Sequence, residues 1–306
     1  MKFTFSSVLS ATSSAILLAL SAVQVVALPT VDPIAADPSP ATMGAIAAHL
    51  EKREITGLNN YNCKLTEAHP RPLILVHATL LTLDSWKDFA PVLIKQGYCV
   101  FALTYGKYKQ DTFGGLAPIE DSSQELGNFV DNVLAKLNAT QVDIVGHSQG
   151  GILARYWIKY QTGAGKVKRH VGISPINHGT TLSSIVTIAK ALKLFEPSKP
   201  LLDAIAPSFM QMVDTSDFIK KLNAGGDTAE GVIHSNIATR FDEVVTPYQT
   251  CFQDHPGITN VLLQDFCLLS LNEHLTMVNS NVVLQFVLNQ LDPLKAKTAN
   301  CFSQLF

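Results

Sequence analysis

The sequence predicts an α/β protein with a mostly parallel central sheet flanked by helices, and three observations support this class. Apolar runs typical of strands buried on both faces alternate with segments of helical spacing. No internal repeat interrupts the alternation. Hydrophobic residues make up 47% of the 306 residues and charged residues only 16%, so the chain can fill a large core.

The N-terminal segment differs from the rest of the chain and predicts a secretory signal. Lys2 supplies a positive charge, residues 15–20 are apolar, and Ala27 is the small residue that a signal peptidase requires. We therefore expect a signal peptide over residues 1–27. The segment is too short and too interrupted to remain as a membrane-spanning helix, so we expect a secreted, extracellular protein.

Residues 28–53 predict a propeptide. Their Pro, Ala, Asp and Ser content is too poor in large apolar side chains to support a core. The segment ends at the dibasic pair Lys52-Arg53, which is typical of a processing site, although the pair can also be two ordinary surface charges. Residues 54–306 then form one α/β domain.

The charge balance excludes one class of partner. The net charge is −2, with no basic excess to bind phosphate backbones. Nucleic acid is therefore not an expected partner.

The first part of the domain predicts a strand, a helix and a second strand. Leu73 to Val76 is a continuous apolar run that ends at His77. Residues 85–96 have helical spacing and stop at Gly97, and residues 98–103 form the next apolar run.

The middle of the chain continues the alternation. Residues 119–137 predict an amphipathic helix, and residues 142–145 a buried strand followed at once by a helix. Residues 168–174 predict the next strand.

Residues 182–224 interrupt the alternation and predict a helical cap insertion. The segment is apolar, helical in pattern and interrupted by prolines, and Gly225-Gly226 ends it. Its apolar side chains line an acyl-chain pocket or face lipid, or the segment is an ordinary packed helical subdomain. These side chains are Leu192, Leu194, Phe195, Leu201, Leu202, Ile205, Phe209, Met210 and Met212.

The C-terminal part returns to the strand and helix pattern. We expect strands over residues 232–239 and 258–266 and a closing helix over residues 281–291.

The stretch Gly146-His147-Ser148-Gln149-Gly150 predicts a nucleophile. It lies between a buried strand and a helix, and small residues stand two before and two after the serine. This is the pattern of a sharp turn that exposes a serine hydroxyl above a sheet. The alternative is a glycine-rich connection without chemistry.

A serine nucleophile needs a base and an acid that orients the base. Asp242 and His274 both follow predicted strands, and their order after Ser148 suits this architecture. Glu243 is the alternative acid and His178 the alternative base. Asp143 is excluded as the acid because it lies within the nucleophile strand.

An ester carbonyl under attack also needs hydrogen-bond donors for its developing negative charge. The backbone N–H of Gln149 is one candidate. The second is expected from the loop after the first strand, at Thr79 or Leu80. No cluster with metal-ligand spacing, phosphate loop or dinucleotide fingerprint occurs, so we expect neither metal nor cofactor.

Five cysteines in a secreted chain suggest disulfides. Pairing neighbours in sequence joins Cys63 with Cys99 and Cys251 with Cys267, and leaves Cys301 over. Asn138-Ala139-Thr140 is a glycosylation sequon, expected in a surface loop.

The sequence resembles secreted microbial lipases and esterases of the α/β-hydrolase superfamily, the group called class 2 lipases, from about residue 62 to residue 291. The carriers are residues 69–72, 75–77, 97–103, 142–151, 177–181, 242–248 and 273–274. The resemblance implies Ser148, Asp242 and His274 as the triad, and the disulfides Cys63–Cys99 and Cys251–Cys267.

The resemblance also implies hydrolysis of acylglycerols or related carboxylic esters. As partners we expect a lipid or other ester substrate and contact with a lipid–water interface, and we expect a monomer. A short-chain carboxylesterase, a polyester hydrolase and an acyltransferase share the chemistry, and a non-catalytic binding protein is the alternative of another class. One position departs from the family: Ala78 stands where the family has glycine after the first strand. If that position needs a positive φ, alanine will alter the oxyanion site.

Overall fold

The computed structural model describes residues 54–109, 112–181, 184 and 206–301, and these residues form a six-stranded sheet. Neighbouring strands are parallel throughout, in the order β2-β1-β3-β4-β5-β6. The strands are β1 (Leu73–Val76), β2 (Val100–Leu103), β3 (Val142–His147), β4 (Val167–Ile173), β5 (Ile233–Ala238) and β6 (Thr259–Leu262). The predicted parallel α/β architecture is confirmed.

Strand β1 illustrates why these runs form the centre of the sheet. All four of its residues are fully buried. Ile74 and Val76 pack into the core on one face of the sheet, and Leu73 and Leu75 into the core on the other. A strand that is covered on both faces has to be apolar at every position, which explains the continuous run in the sequence.

Helices cover both faces of the sheet. The helices are α1 (Phe89–Lys95), α2 (Ile119–Leu137), α3 (Gln149–Tyr160), α4 (Pro207–Gln211), α5 (Asp217–Asn223), α6 (Leu263–Phe266) and α7 (Asn281–Leu291). Helices α2 to α5 contribute to the core that contains Ile74, and α1 and α7 to the core that contains Leu73. Short 3-10 turns occupy Leu83–Trp86, Tyr248–Cys251, Leu275–Asn279 and Pro293–Lys295.

The last strand is shorter than the sequence indicates. The prediction over residues 258–266 is wrong in its second half, because β6 ends at Leu262 and the chain turns into α6. Within α6, the buried Gln264 donates from Nε2 to Thr239 Oγ1 at 2.9 Å and to Ser270 O at 3.0 Å. These hydrogen bonds join the ends of β5 and β6. They depend on tertiary contacts, which the alternation of side chains along the chain does not reveal.

The disulfide prediction is confirmed at one end of the chain and wrong at the other. Cys63 pairs with Cys99 as expected. The expected Cys251–Cys267 bond does not form: Cys267 pairs with Cys301, and Cys251 is a buried free thiol. The reason is the sheet itself, since Cys251 packs into the core on one face and Cys267 into the core on the other.

The predicted cap insertion is described only in part. Within residues 182–224, the described portion contains α4 and α5, with Phe209 and Met212 buried in the core. Several predicted acyl-lining residues lie outside the described residues, as do the signal peptide and propeptide over residues 1–53. These residues of the insertion are Leu192, Leu194, Phe195, Leu201, Leu202 and Ile205.

Two surface features follow from the helices. Asn138 ends α2 in the left-handed conformation and is exposed, so its sequon lies on the surface. In the part of the chain that the structure describes, none of the helices has both the length and the apolar character needed to cross a bilayer.

Candidate active site

Ser148 occupies a strained turn between β3 and α3. Its backbone angles are φ 54° and ψ −121°, outside the usual regions for a non-glycine residue. The turn is held by the Ser148 N–H, which donates to Ile173 O at 2.9 Å. Strain of this kind at a strand-to-helix junction is typical of a nucleophile elbow.

The two flanking glycines are required by close backbone packing. A Cβ on Gly146 would lie 2.6 Å from the Gly150 carbonyl, and a Cβ on Gly150 would lie 2.3 Å from Val76 O. No side chain fits at either position without moving backbone. The pentapeptide therefore brings β1, β3 and α3 into direct contact around Ser148.

Asp242 and His274 are joined directly at the carboxyl ends of β5 and β6. His274 Nδ1 donates to Asp242 Oδ2 at 2.9 Å, and both side chains are buried. An ionised carboxylate can only accept, so this bond leaves Nε2 as the free ring nitrogen. A base with one nitrogen oriented by an acid is the arrangement needed to activate a hydroxyl.

Asp242 is held as a carboxylate by its surroundings. Burial opposes its ionisation, but the charge and hydrogen bond of His274 and the N–H of Val245 outweigh burial and lower the pKa of Asp242. Its other oxygen, Oδ1, accepts from Val244 N at 3.1 Å and Val245 N at 2.7 Å. The acid therefore remains ionised and fixed in orientation at neutral pH.

His147 connects the nucleophile strand with the His274 loop. Its Nε2 donates to His274 O at 3.0 Å, and the two imidazole centroids are 5.0 Å apart. Burial, with the nearby His274, lowers the pKa of His147 to about 3, so its ring stays neutral. Among the described residues no hydrogen bond joins the Ser148 hydroxyl to the His274 ring, a contact that often tightens only when substrate binds.

The loop after β1 distinguishes the two candidate oxyanion donors. The Leu80 N–H already donates to Gly114 O at 2.9 Å, whereas the Thr79 N–H has no acceptor in the described part of the chain. Gln149 begins α3, where backbone N–H groups lack partners within the helix. Thr79 and Gln149 are therefore the available pair of amides.

Ala78 does not disturb this loop. The positive φ after β1 belongs to Leu80, at 63°, and not to Ala78. The Ala78 carbonyl accepts from His77 Nδ1 at 2.7 Å and from Leu81 N at 3.1 Å. The alanine is accommodated without left-handed strain, so the concern raised by the sequence is resolved.

A buried network that the sequence does not reveal holds the two amides together. The single hydroxyl hydrogen of Tyr105 is shared between two acceptors, His77 O at 2.8 Å and Gln149 Oε1 at 2.9 Å. Gln149 Nε2 donates to Gly115 O at 3.0 Å, and Gly115 lies against the Thr79 backbone. No motif or spacing in the sequence indicates these partners.

The rival acid lies nearby but does not contact the imidazole. Glu243 is exposed, and its Oε2 accepts from the His274 backbone N–H at 3.4 Å. Arg240 pairs with Asp265 at 3.3 Å and with neither rival carboxylate. Of the two carboxylates, Asp242 is the one that contacts the His274 ring.

The other two candidates are engaged elsewhere. His178 Nε2 lies 2.9 Å from Asp227 Oδ2, in a bond that stabilises a loop rather than orienting a base. Asp143 accepts from Arg71 Nε at 2.9 Å, consistent with its exclusion as the acid.

In the described residues, no group of three or more His, Cys, Asp or Glu side chains is arranged to hold a metal ion. What the site does contain is a serine on a strained turn, an oriented imidazole and two backbone donors. Such a set is suited to acyl transfer through a serine ester.

Known proteins resemble this chain in sequence and in fold. The family model "Lipase (class 2)" matches residues 70–287. Aspergillus fumigatus lipase B has a similar structure, with a TM-score of 0.60 and 20% identity over 80% of this chain, which spans 56% of that lipase. Bacillus licheniformis lipase BlEst2 in its mature form gives a TM-score of 0.54 and 14% identity, covering 74% of this chain and 94% of that one.

At these identities the two solved structures show the shared α/β-hydrolase fold, and the family match supplies the relationship in sequence. The match includes Ser148, Asp242 and His274, and it covers most of the domain predicted over residues 54–306. The chain therefore belongs to the class 2 lipase family.

Proposed function

We propose that the protein is a secreted serine hydrolase that cleaves the carboxylic esters of lipids, of the triacylglycerol lipase type, through an acyl-enzyme. Membership of the class 2 lipase family supports ester hydrolysis. The observation that carries the serine mechanism is the 2.9 Å bond from the buried His274 to the buried Asp242, beside the strand that ends at Ser148.

In the first half of the reaction, Ser148 Oγ attacks the ester carbonyl carbon, and its proton passes to Nε2 of His274. Asp242 stabilises the imidazolium formed, since it is already ionised and bonded to Nδ1. The tetrahedral intermediate collapses, the bond to the alcohol oxygen breaks, and the alcohol leaves with the proton from His274.

In the second half, His274 removes a proton from water, and the hydroxide formed attacks the acyl-enzyme. The bond to Ser148 Oγ breaks, the serine recovers its proton, and the fatty acid is released. The amides of Thr79 and Gln149 meet the negative oxygen in both halves. Removing one such donor commonly costs about a hundredfold in rate.

We also propose that the protein is exported. The predicted signal peptide over residues 1–27 and propeptide to Arg53 support this, and two disulfides are compatible with an oxidising compartment. The exposed Asn138 sequon is suited to carry a glycan. Mass spectrometry of the secreted protein will test the expected N-terminus at residue 54 and the glycan at Asn138.

A fluorophosphonate probe tests the serine mechanism. The folded protein should be labelled on Ser148, and Ser148→Ala should lose both labelling and ester turnover, by about 10⁴-fold or more in kcat. Ser123→Ala is a matched control at another buried serine, whose hydroxyl donates to Glu120 O within α2. Labelling that survives in Ser148→Ala contradicts the assignment, and an unlabelled folded protein would favour a binding function.

The preferred ester is tested with a chain-length series from butyrate to oleate. Turnover that rises toward long chains supports the lipase assignment. A steep preference for short soluble esters would instead identify a carboxylesterase. Hydrolysis of polyesters would identify a polyester hydrolase, and transfer of the acyl group to alcohols would identify an acyltransferase.

A further inference from the structure

An unusual concentration of leucine lies on the surface beside the base. Leu268 is 78% exposed, Leu269 65% and Leu271 76%, and Leu275 is 49% exposed directly after His274. We call residues 268–275 the leucine loop. Scattered single apolar side chains are normal on protein surfaces, but four in eight residues require an explanation.

The loop is firmly anchored, so the exposure is not that of a loose segment. Cys267, just before the loop, is bonded to Cys301. Inside it, the Ser270 carbonyl accepts from Gln264 Nε2 at 3.0 Å and the Asn272 carbonyl from Thr239 Oγ1 at 2.7 Å. Buried polar side chains therefore hydrogen-bond to the backbone of the loop, and its leucine side chains face the solvent.

The charges of the loop indicate what kind of surface it suits. Glu273 is turned to its own backbone, accepting from Leu275 N at 2.8 Å and Thr276 N at 3.0 Å, and His274 is buried. The loop contains no lysine or arginine. A loop that bound anionic lipid would present basic side chains, so these leucines suit an uncharged apolar phase.

We propose that the leucine loop docks the protein on the surface of a neutral lipid phase, by inserting Leu268, Leu269 and Leu271. The proposal rests on the proposed function, because an oil of neutral esters is both the surface and the source of substrate. Docking through this loop places the lipid beside His274 and so beside the reacting ester. A protein partner or a second copy seated there would cover the base instead.

The first test is flotation with trioleoylglycerol droplets. The full chain with Ser148→Ala, which cannot consume the droplets, should float with them. Adding Leu268→Ser, Leu269→Ser and Leu271→Ser should reduce the droplet-to-water partition by about tenfold per leucine. Leu294→Ser is the matched control, since Leu294 is 98% exposed outside the loop and its loss should leave partition unchanged.

The second measurement separates docking from catalysis. With Ser148 intact, the triple serine variant should hydrolyse a soluble acetate ester at the rate of the unaltered chain, which also shows that it is folded. Its turnover of emulsified trioleoylglycerol should fall by at least tenfold. If no form of the protein hydrolyses any ester, the proposed function fails, while flotation still tests the loop.

A spectroscopic arm reports insertion directly. The only two tryptophans, Trp86 and Trp157, are fully buried and give a constant background. Leu268→Trp should shift its emission to the blue on droplets, and Leu294→Trp should not.

Three outcomes would overturn the proposal. They are unchanged partition of the triple variant, preference for phosphatidylglycerol vesicles over droplets, and self-association that the three serines abolish while droplet binding persists. The last would assign the loop to a second copy of the chain.

Discussion

The two sides of the candidate active site are held together by different means. On the nucleophile side, formed by β1, β3 and the start of α3, the backbone does the positioning: the strained Ser148 turn exists because Gly146 and Gly150 allow main chain to touch main chain. On the acid–base side, formed by the loops after β5 and β6, Asp242 and His274 are positioned by side-chain hydrogen bonds and charge.

This difference has a consequence for mutation. Backbone packing tolerates no added atom, so a methyl group on the nucleophile side affects both stability and activity. A hydrogen-bonded pair can lose its chemistry while it keeps its shape, so an isosteric change on the acid–base side affects activity alone. The predictions below test the contrast, from the largest expected effect to the smallest.

Replacing the acid by its amide should abolish most activity without unfolding the protein. Asp242→Asn keeps the shape but removes the charge that stabilises the imidazolium, and we expect kcat on a soluble ester to fall by about 10⁴-fold. Glu243→Gln is the matched control and should stay within about tenfold of the unaltered enzyme. Equal losses in the two variants would mean that the acids share the role.

A single methyl group added on the nucleophile side should lower both the stability and the activity of the protein. In Gly150→Ala the new Cβ would lie 2.3 Å from Val76 O and 2.6 Å from His77 O, so backbone has to move. We expect the free energy of unfolding to fall by about 3 kcal/mol, and kcat by at least tenfold, in urea titration and ester assay.

Gly257→Ala provides the comparison, because its Cβ would have only the His255 side chain at 3.6 Å. Its unfolding free energy should change by less than about 0.5 kcal/mol. If Gly150→Ala behaves in the same way, close backbone packing does not hold the elbow in place.

The Cys267–Cys301 bond should stabilise the acid–base side from outside the site. The bond closes 34 residues, and Cys301→Ser should lower the free energy of unfolding by about 3 kcal/mol. Cys251→Ala removes a buried thiol with no partner, and should cost about 1 kcal/mol. Similar losses in both, or a Cys251–Cys267 peptide in a non-reducing digest, would restore the pairing suggested by the sequence.

Buried histidines should make the fold sensitive to acid. Burial lowers the pKa of His77 to about 4 and those of His147 and His234 to about 3, from 6.5. Since these pKa values are depressed on folding, the stability they contribute is complete above pH 6.5 and is lost as the pH falls toward 3 to 4. Each should remove about 1 kcal/mol from the free energy of unfolding per pH unit in that window.

Urea titrations between pH 7 and pH 4 measure this slope. The slope reports how many protons the protein takes up on unfolding. His234→Asn should lower that number by about one or more, because it also removes the ring next to His170, whose Nδ1 lies 3.2 Å from His234 Nδ1. If the slope is the same with and without His234, the interpretation of His170 and His234 as a buried, neutral pair is contradicted.

The sequence predicted the strand, the turn and the helix around Ser148 well because their signal is local. The spacing from Gly146 to Gly150, between an apolar run and a helix, specifies a strand, a turn and a helix within a dozen residues. The helices over residues 119–137 and 281–291 were predicted to the residue for the same reason.

Features that depend on distant contacts were left open or were wrong. The choice between Thr79 and Leu80 depends on the carbonyl of Gly114, more than thirty residues away. The pairing of Cys251 with Cys267 looked natural along the chain, although the two lie in cores on opposite faces of the sheet. Residue type alone does not distinguish the exposed Leu268, Leu269 and Leu271 from the buried leucines of the core.

By itself, the sequence determined the parallel α/β class and the strand, turn and helix around Ser148, because each depends on residue type and short-range spacing. The tertiary structure alone decided which amides remain unpaired, which cysteines meet and which leucines face outward. These depend on which face of the sheet each segment covers, and that is set only when the whole core is packed.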